Sequence, residues 1–127
     1  MNSNNLEKKL EQLNVEDFIW VIYIVIIMMS TYANSQERKY FLTNDSTSKE
    51  KYRKTMIIIF SILIVVYFYF LKDSYLDFIN LKPTDSDKKK LLVSLSFLAS
   101  LLIAISGVIF LYIAFEDEEL EVELAFN

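Results

Sequence analysis

The residues with the clearest potential for chemistry are six carboxylates near the carboxyl end of the chain. They are Glu116, Asp117, Glu118, Glu119, Glu121 and Glu123, and no basic residue lies among them. Carboxylate oxygens are ligands that Ca²⁺ and Mg²⁺ prefer, but this run lacks the spaced turn of an EF-hand loop. We therefore expect a solvated acidic tail over residues 116–127, without a metal site.

The same tail alternates apolar and polar positions. Leu120, Val122, Leu124 and Phe126 are each separated by one residue, a period of two that is typical of a strand or an extended peptide. Such a peptide can add to the edge of a partner's sheet or lie in a groove. The tail is thus either a partner-binding segment or a chain end without fixed structure.

Small residues form a second pattern in the most apolar part of the chain. Ser96, Ser100 and Ala104 recur every four positions, and Gly107 follows three positions later. On a helix they share one face, where two backbones can approach closely and serine can form hydrogen bonds. This face could pack against other spans of the same chain, form the seam of a homo-oligomer, or line a pore.

The residue types exclude many common catalytic and metal sites. The chain has neither histidine nor cysteine, so Ser–His and Cys–His pairs and thiolate or imidazole metal ligands are impossible. General acid–base chemistry would depend on carboxylates, lysine or tyrosine. We predict a non-enzymatic protein with no catalytic residue, cofactor or metal.

Three continuous apolar runs must position these residues. The chain is 54% hydrophobic and 24% charged, and the charges lie between the runs, which is typical of membrane proteins. The runs cover residues 18–34, 55–71 and 91–115. The third would rise about 37 Å as a helix, more than a hydrocarbon core of about 30 Å, so it must tilt or protrude. We predict an all-α integral membrane protein, a single membrane domain with three transmembrane helices.

The segments between the runs are polar or amphipathic. Residues 5–17 and 73–81 place apolar residues at helical spacing, and we predict a short interfacial helix in each, although the first could simply extend the first span. Residues 34–54 are expected to form a polar connection with an exposed loop at 43–48. Pro83 ends the second segment, and Thr84, Asp85 and Ser86 are candidate caps of the third helix.

Basic residues do not determine the orientation of the chain. Seven lie on the side that the amino terminus shares with the second connection, and six lie on the other side. The excess of cytoplasmic lysine and arginine that orients many membrane proteins is therefore missing. A single orientation and a dual topology with antiparallel assembly both stay possible.

The apolar runs contain no charged residue, whereas ion-coupled transporters usually carry such residues at the midplane. Nucleic-acid binding is not expected for a chain of net charge −4.

We expect an accessory or regulatory membrane protein that binds a membrane partner or copies of itself through helix packing and its acidic tail. The alternatives are an oligomeric membrane-permeabilising protein of the holin, toxin or defence-effector type, and a bacteriocin-immunity-type protein. Lysine supplies eleven of the thirteen basic residues, a usage that suggests an AT-rich bacterial genome and hence a bacterial cytoplasmic membrane.

Overall fold

The computed structural model describes residues 3–124, which form three α-helices: α1 (Ser3–Thr43), α2 (Ser46–Ile79) and α3 (Asp87–Glu116). Each helix contains an apolar stretch long enough to cross a membrane. The prediction of an all-α chain with three such helices is therefore confirmed, and the architecture is compatible with a multi-pass membrane protein.

Separate interfacial helices are not found in residues 3–124. The segment 5–17 is the first part of α1, and the segment that begins at residue 73 continues α2 as far as Ile79. Neither junction contains glycine or proline, so no residue interrupts the helical hydrogen bonds there. Each amphipathic segment therefore continues a long helix, residues 5–17 in α1 and the segment from residue 73 in α2.

The first connection is much shorter than predicted. α1 continues to Thr43 and α2 begins at Ser46, which leaves Asn44 and Asp45 as the turn. Asn44 adopts a left-handed conformation with φ 53°, which asparagine tolerates better than most residues. Asp45 caps α2 because its carboxylate accepts the N–H of Thr47 at 3.0 Å. The turn lies within the exposed loop predicted at 43–48, but the rest of the polar connection over 34–54 is helical, since capping and helix-forming residues sustain the helices on both sides.

The second connection contains the caps that the sequence predicts. α2 ends at Ile79, and Ser86 is the N-cap of α3, where its hydroxyl accepts the N–H of Lys89 at 3.1 Å. Asp85 instead closes the turn that follows Pro83, because its carboxylate accepts the N–H of Lys82 at 2.8 Å. The Ser86 bond satisfies a backbone donor that a helix start leaves unpaired.

The central element is α2. Within residues 3–124, α1 and α3 each pack along α2 but do not come close to each other. The most deeply buried large side chains, Met56, Ile59 and Phe60, all belong to α2. Phe60 stacks on Phe110 of α3, with ring centroids 5.5 Å apart. The core therefore surrounds α2, and space is left between α1 and α3.

Aromatic contacts fix the relative heights of α2 and α3. Phe97 of α3 lies 5.3 Å from Phe78 and 5.7 Å from Tyr75, measured between ring centroids. Phe97 is six residues, or about 9 Å, inside the third apolar run. The part of α2 that follows the second apolar run therefore lies beside apolar residues of α3, and not beyond them.

Candidate functional sites at the two ends of the bundle

A polar cleft opens where the three helices meet near residues 73–77. Its volume is about 250 Å³. All three helices contribute to its walls: Tyr23 of α1; Tyr67, Phe70, Asp73, Ser74 and Asp77 of α2; and Ser96, Ser100 and Ile103 of α3. The cleft exists because α1 and α3 both contact α2 without closing on each other. We name this feature the polar cleft.

The two carboxylates of the polar cleft lie one helical turn apart on α2. Asp73 is half-buried and accepts a hydrogen bond from the Gln12 side-chain amide, which ties the first part of α1 to α2. Asp77 has no hydrogen-bond or ion-pair partner among residues 3–124. Ser74 is buried between them, and its hydroxyl donates to the carbonyl of Leu71 at 3.1 Å. Asp77 is exposed and is thus the available acceptor at the mouth of the cleft.

The position of these carboxylates is unusual for charged groups. Asp77 adjoins Phe78, which stacks on Phe97 within the apolar run of α3. Meanwhile Tyr75, Phe78 and Ile79 are exposed on the outer surface of the same segment of α2. Polar side chains line the inner cleft and apolar side chains cover the outside. Ionisable residues inside membrane bundles commonly mark functional sites, and here Asp73 is partly buried whereas Asp77 is exposed.

The small-residue stripe of α3 is divided between two environments. Ser96 and Ser100 line the polar cleft, whereas Ala104 and Gly107 are buried. A Cβ atom added at Gly107 would lie 2.9 Å from Cδ2 of Tyr67 and 3.3 Å from Cγ1 of Ile64. Glycine therefore permits the close approach of α3 to α2 at this level. The stripe faces α2 of the same chain at its second half and the cleft at its first half.

At the opposite end of the bundle, the acidic tail folds back onto the helices. Leu124 is only 5% exposed and joins the cluster that contains Ala33, Tyr52 and Met56. Leu120 packs against the same cluster in a left-handed conformation with φ 55°. Within the described residues the tail contains no strand. Ala125, Phe126 and Asn127 lie outside them.

Polar contacts hold the tail in this conformation. Asp117 accepts the backbone N–H groups of Glu121 and Val122 at 3.0 and 2.8 Å, which closes a turn. Arg53 donates from Nη2 to the carbonyl of Phe115 at 2.8 Å. Lys49 forms an ion pair with Glu119 at 3.6 Å, where the Glu119 side chain is 65% exposed. The Lys49–Glu119 ion pair and the buried Leu124 thus attach the tail to α2, while the Asp117 bonds lie within the tail and Arg53 binds the last turn of α3.

The six tail carboxylates do not converge on one point. Asp117 faces its own turn and Glu119 faces Lys49, while Glu116, Glu118, Glu121 and Glu123 are exposed. In the part of the chain that the structure describes, no group of three or more carboxylates is placed to hold a metal ion. The tail therefore presents a dispersed acidic surface on a folded backbone.

Sequence reasoning missed the polar cleft because it treated residues 73–81 as lying outside the span. Two features of the sequence nevertheless indicate the polar cleft. The third apolar run is eight residues longer than the second, and Asp73 and Asp77 share a helical face with Ser74 adjacent. Part of the longer run on α3 must therefore lie beside the residues of α2 that flank the shorter run.

Comparison of the chain with protein-family models, with curated proteins and with solved structures finds no match.

Proposed function

We propose that this chain is a small non-enzymatic membrane protein that acts as an accessory or regulatory subunit of a membrane partner. The observation that supports this proposal most directly is the folded tail, in which buried Leu124 fixes a backbone whose carboxylates remain largely exposed. A preformed surface loses less conformational entropy on binding than a free chain end would. The tail would bind a basic surface of the partner at the edge of the membrane.

Electrostatics favour this use of the tail. Charged groups at the rim of an interface speed association and select among partners more than they raise affinity. Glu118, Glu121 and Glu123 are exposed and have no ion-pair partner among residues 3–124. They are therefore available to a partner, whereas Glu119 is engaged by Lys49.

Crosslinking in living cells tests this proposal. A photo-crosslinking residue at Val122, which is 50% exposed, should yield discrete adducts with a membrane protein when the chain is expressed at its natural level. Neutralising Glu118, Glu121 and Glu123 together to glutamine should remove these adducts. The matched control changes Glu7, Glu11 and Glu50 to glutamine, which alters the net charge equally at other exposed positions. Adducts that persist in the tail variant, or wild-type protein without adducts, would contradict the proposal.

A second candidate function is membrane permeabilisation by an oligomer. The polar cleft favours it, because carboxylates and serines from two helices line a recess beside the apolar run of α3. Several copies around an axis would be needed to enclose a pathway for water or ions. A potential-sensitive dye separates the two candidates. Collapse of the membrane potential on regulated expression, abolished by Asp73→Asn and Asp77→Asn, would favour permeabilisation.

A further inference from the structure

The polar cleft adjoins an apolar groove between α1 and α2. The groove has a volume of about 630 Å³, within the range of about 300–1,000 Å³ that is typical of sites for small ligands. Tyr23 and Tyr67 line both the cleft and the groove, so the two adjoin. The groove follows α1 from Trp20 to Asn34, about 21 Å of helix. The cleft and the groove lie side by side, and we call the pair the recess, with a carboxylate end and an apolar end.

The carboxylate end of the recess is suited to a cation. None of the nine residues that line the polar cleft is basic. The nearby Lys72 lines a different groove, which it shares with Tyr75 and Phe97. Asp77 has no partner among residues 3–124, and Asp73 has only the neutral amide of Gln12. A carboxylate beside apolar surface is stabilised by a cation that donates hydrogen bonds to it.

The apolar end of the recess is suited to a hydrocarbon chain. Its walls include Ile26, Ile27 and Leu63, and its length is comparable to that of a lipid acyl chain lying along the helix. Its far end is polar, lined by Ser30, Thr31 and Asn34. An acyl chain gains no hydrophobic free energy when it moves from lipid into an apolar groove, so its binding depends on close packing against the groove walls. A ligand that satisfies both ends is therefore amphiphilic, with its cation at the end of the bundle and its chain directed towards the membrane interior.

We propose that this recess binds a phospholipid whose headgroup carries a primary ammonium, as in phosphatidylethanolamine. The ammonium has three N–H donors, as a lysine ammonium has. They are directed at Asp73 and Asp77, and the serine hydroxyls of α3 lie close by. A choline headgroup has no N–H to donate, and an anionic headgroup such as phosphatidylglycerol is repelled by the two carboxylates. Selectivity for the ammonium headgroup is therefore the property that distinguishes this site from ordinary lipid contact.

Trp20 provides a direct measurement, because it is the only tryptophan of the chain and it lines the groove. The protein is reconstituted in vesicles in which brominated lipid quenches the fluorescence of Trp20. Brominated phosphatidylethanolamine, phosphatidylcholine and phosphatidylglycerol are compared at equal mole fraction in a common lipid background. We expect the ethanolamine lipid to bind about three to five times more tightly than the choline lipid, as a partly exposed ammonium–carboxylate pair would give.

The variant that tests the assignment changes both Asp73 and Asp77 to asparagine, and it should abolish this preference. Changing Glu7 and Glu11 to glutamine is the matched control, because it removes the same charge from exposed positions of α1 and should leave the preference intact. Asp77→Asn alone keeps the Gln12–Asp73 hydrogen bond, so it tests the site even if the double variant folds poorly. Equal quenching by the choline lipid in the wild-type protein, or a preference that survives in a folded Asp77→Asn variant, would overturn the proposal.

Discussion

The ring of Phe97 in α3 stacks on the ring of Phe78 in α2, with centroids 5.3 Å apart and an interplanar angle of 16°. This contact aligns the end of α2 with residues well inside the longest apolar run of the chain. It therefore places Asp77, the neighbour of Phe78, beside apolar helix surface. The polar cleft, the feature with the most evident chemistry in this molecule, depends on that alignment.

Substitution of Gly107 tests the close packing of α3 on α2. A Cβ at this position would lie 2.9 Å from Cδ2 of Tyr67, so Gly107→Ala forces the tyrosine ring to move, and Gly107→Leu forces the helices apart. We expect destabilisation of about 1–3 kcal/mol, the usual effect of overpacking, with leucine worse than alanine. Unfolding in mixed detergent micelles measures it.

The control for this prediction is Ser106→Leu, since Ser106 is the exposed neighbour of Gly107. It enlarges a side chain without meeting α2, and its effect on unfolding should be small. If Gly107→Leu were as stable as Ser106→Leu, the described contact with Tyr67 would not exist in the membrane.

Substitution of Leu124 tests the attachment of the tail. Leu124→Ala removes most of a buried side chain, and we expect the tail to detach more readily by about 2 kcal/mol, the lower end for such truncations. A glutamate-specific protease should then cleave after Glu119 or Glu121 about tenfold faster or more, because a tenfold change in population corresponds to about 1.4 kcal/mol. Val122→Ala, at an exposed position, should leave the cleavage rate near that of the wild type. Equal rates for the two variants would show that the tail is not anchored through Leu124.

Two turn aspartates predict how stability depends on pH. The pKa of Asp45 is lowered mainly by a hydrogen bond from the Ser48 side chain and, to a smaller extent, by one from the backbone of Thr47. The pKa of Asp85 is lowered mainly by a hydrogen bond from the backbone N–H of Lys82 and, to a smaller extent, by one from the Lys89 side chain. A folded-state pKa below the ordinary value of 3.8 means that each carboxylate stabilises the fold above that value. This stabilisation is lost as the pH falls through the lowered folded-state pKa.

The corresponding measurement is unfolding between pH 6 and pH 3, compared with a variant in which Asp45 and Asp85 are both asparagine. Asparagine retains an acceptor oxygen but does not titrate in this range. The side chains of Asp45 and Asp85 are 33% and 16% exposed and lie in surface turns, so the difference should be modest. The wild type should lose more stability than the variant on acidification, and parallel curves would rule out a contribution from these caps.

The helices themselves were predictable from the sequence because apolar runs of 17 to 25 residues have few alternatives to a membrane-spanning helix. The Ser86 cap was predictable for a local reason as well, since a hydroxyl directly before a helix pairs with its first free N–H groups. The place of the first turn was predictable within the polar segment 43–48, but its short length was not. A polar segment with many good helix formers can be helix or loop, and the packing of α1 on α2 favours helix.

The candidate sites were harder to predict because they depend on pairing between distant residues. The periodicity of Ser96, Ser100, Ala104 and Gly107 identified a helix face, but not the fact that the face divides between α2 and an open cleft. The alternation in the tail suggested an extended peptide, whereas a turn at Asp117 and a left-handed Leu120 bring Leu124 onto the core. The relative heights of α2 and α3 follow only from comparing the lengths of distant apolar runs, and the reversal of the tail depends on its contacts with α2.

The two ends of the bundle differ in how firmly they are joined. At one end, the tail crosses from α3 to α2 and reaches the cluster that contains Ala33 of α1, so a single segment links all three helices. At the other end, α1 meets α2 through Gln12 and Asp73, and within residues 3–124 it has no close contact with α3. The tail thus acts as a clasp across all three helices at one end, whereas at the other end α1 and α3 are connected only through α2.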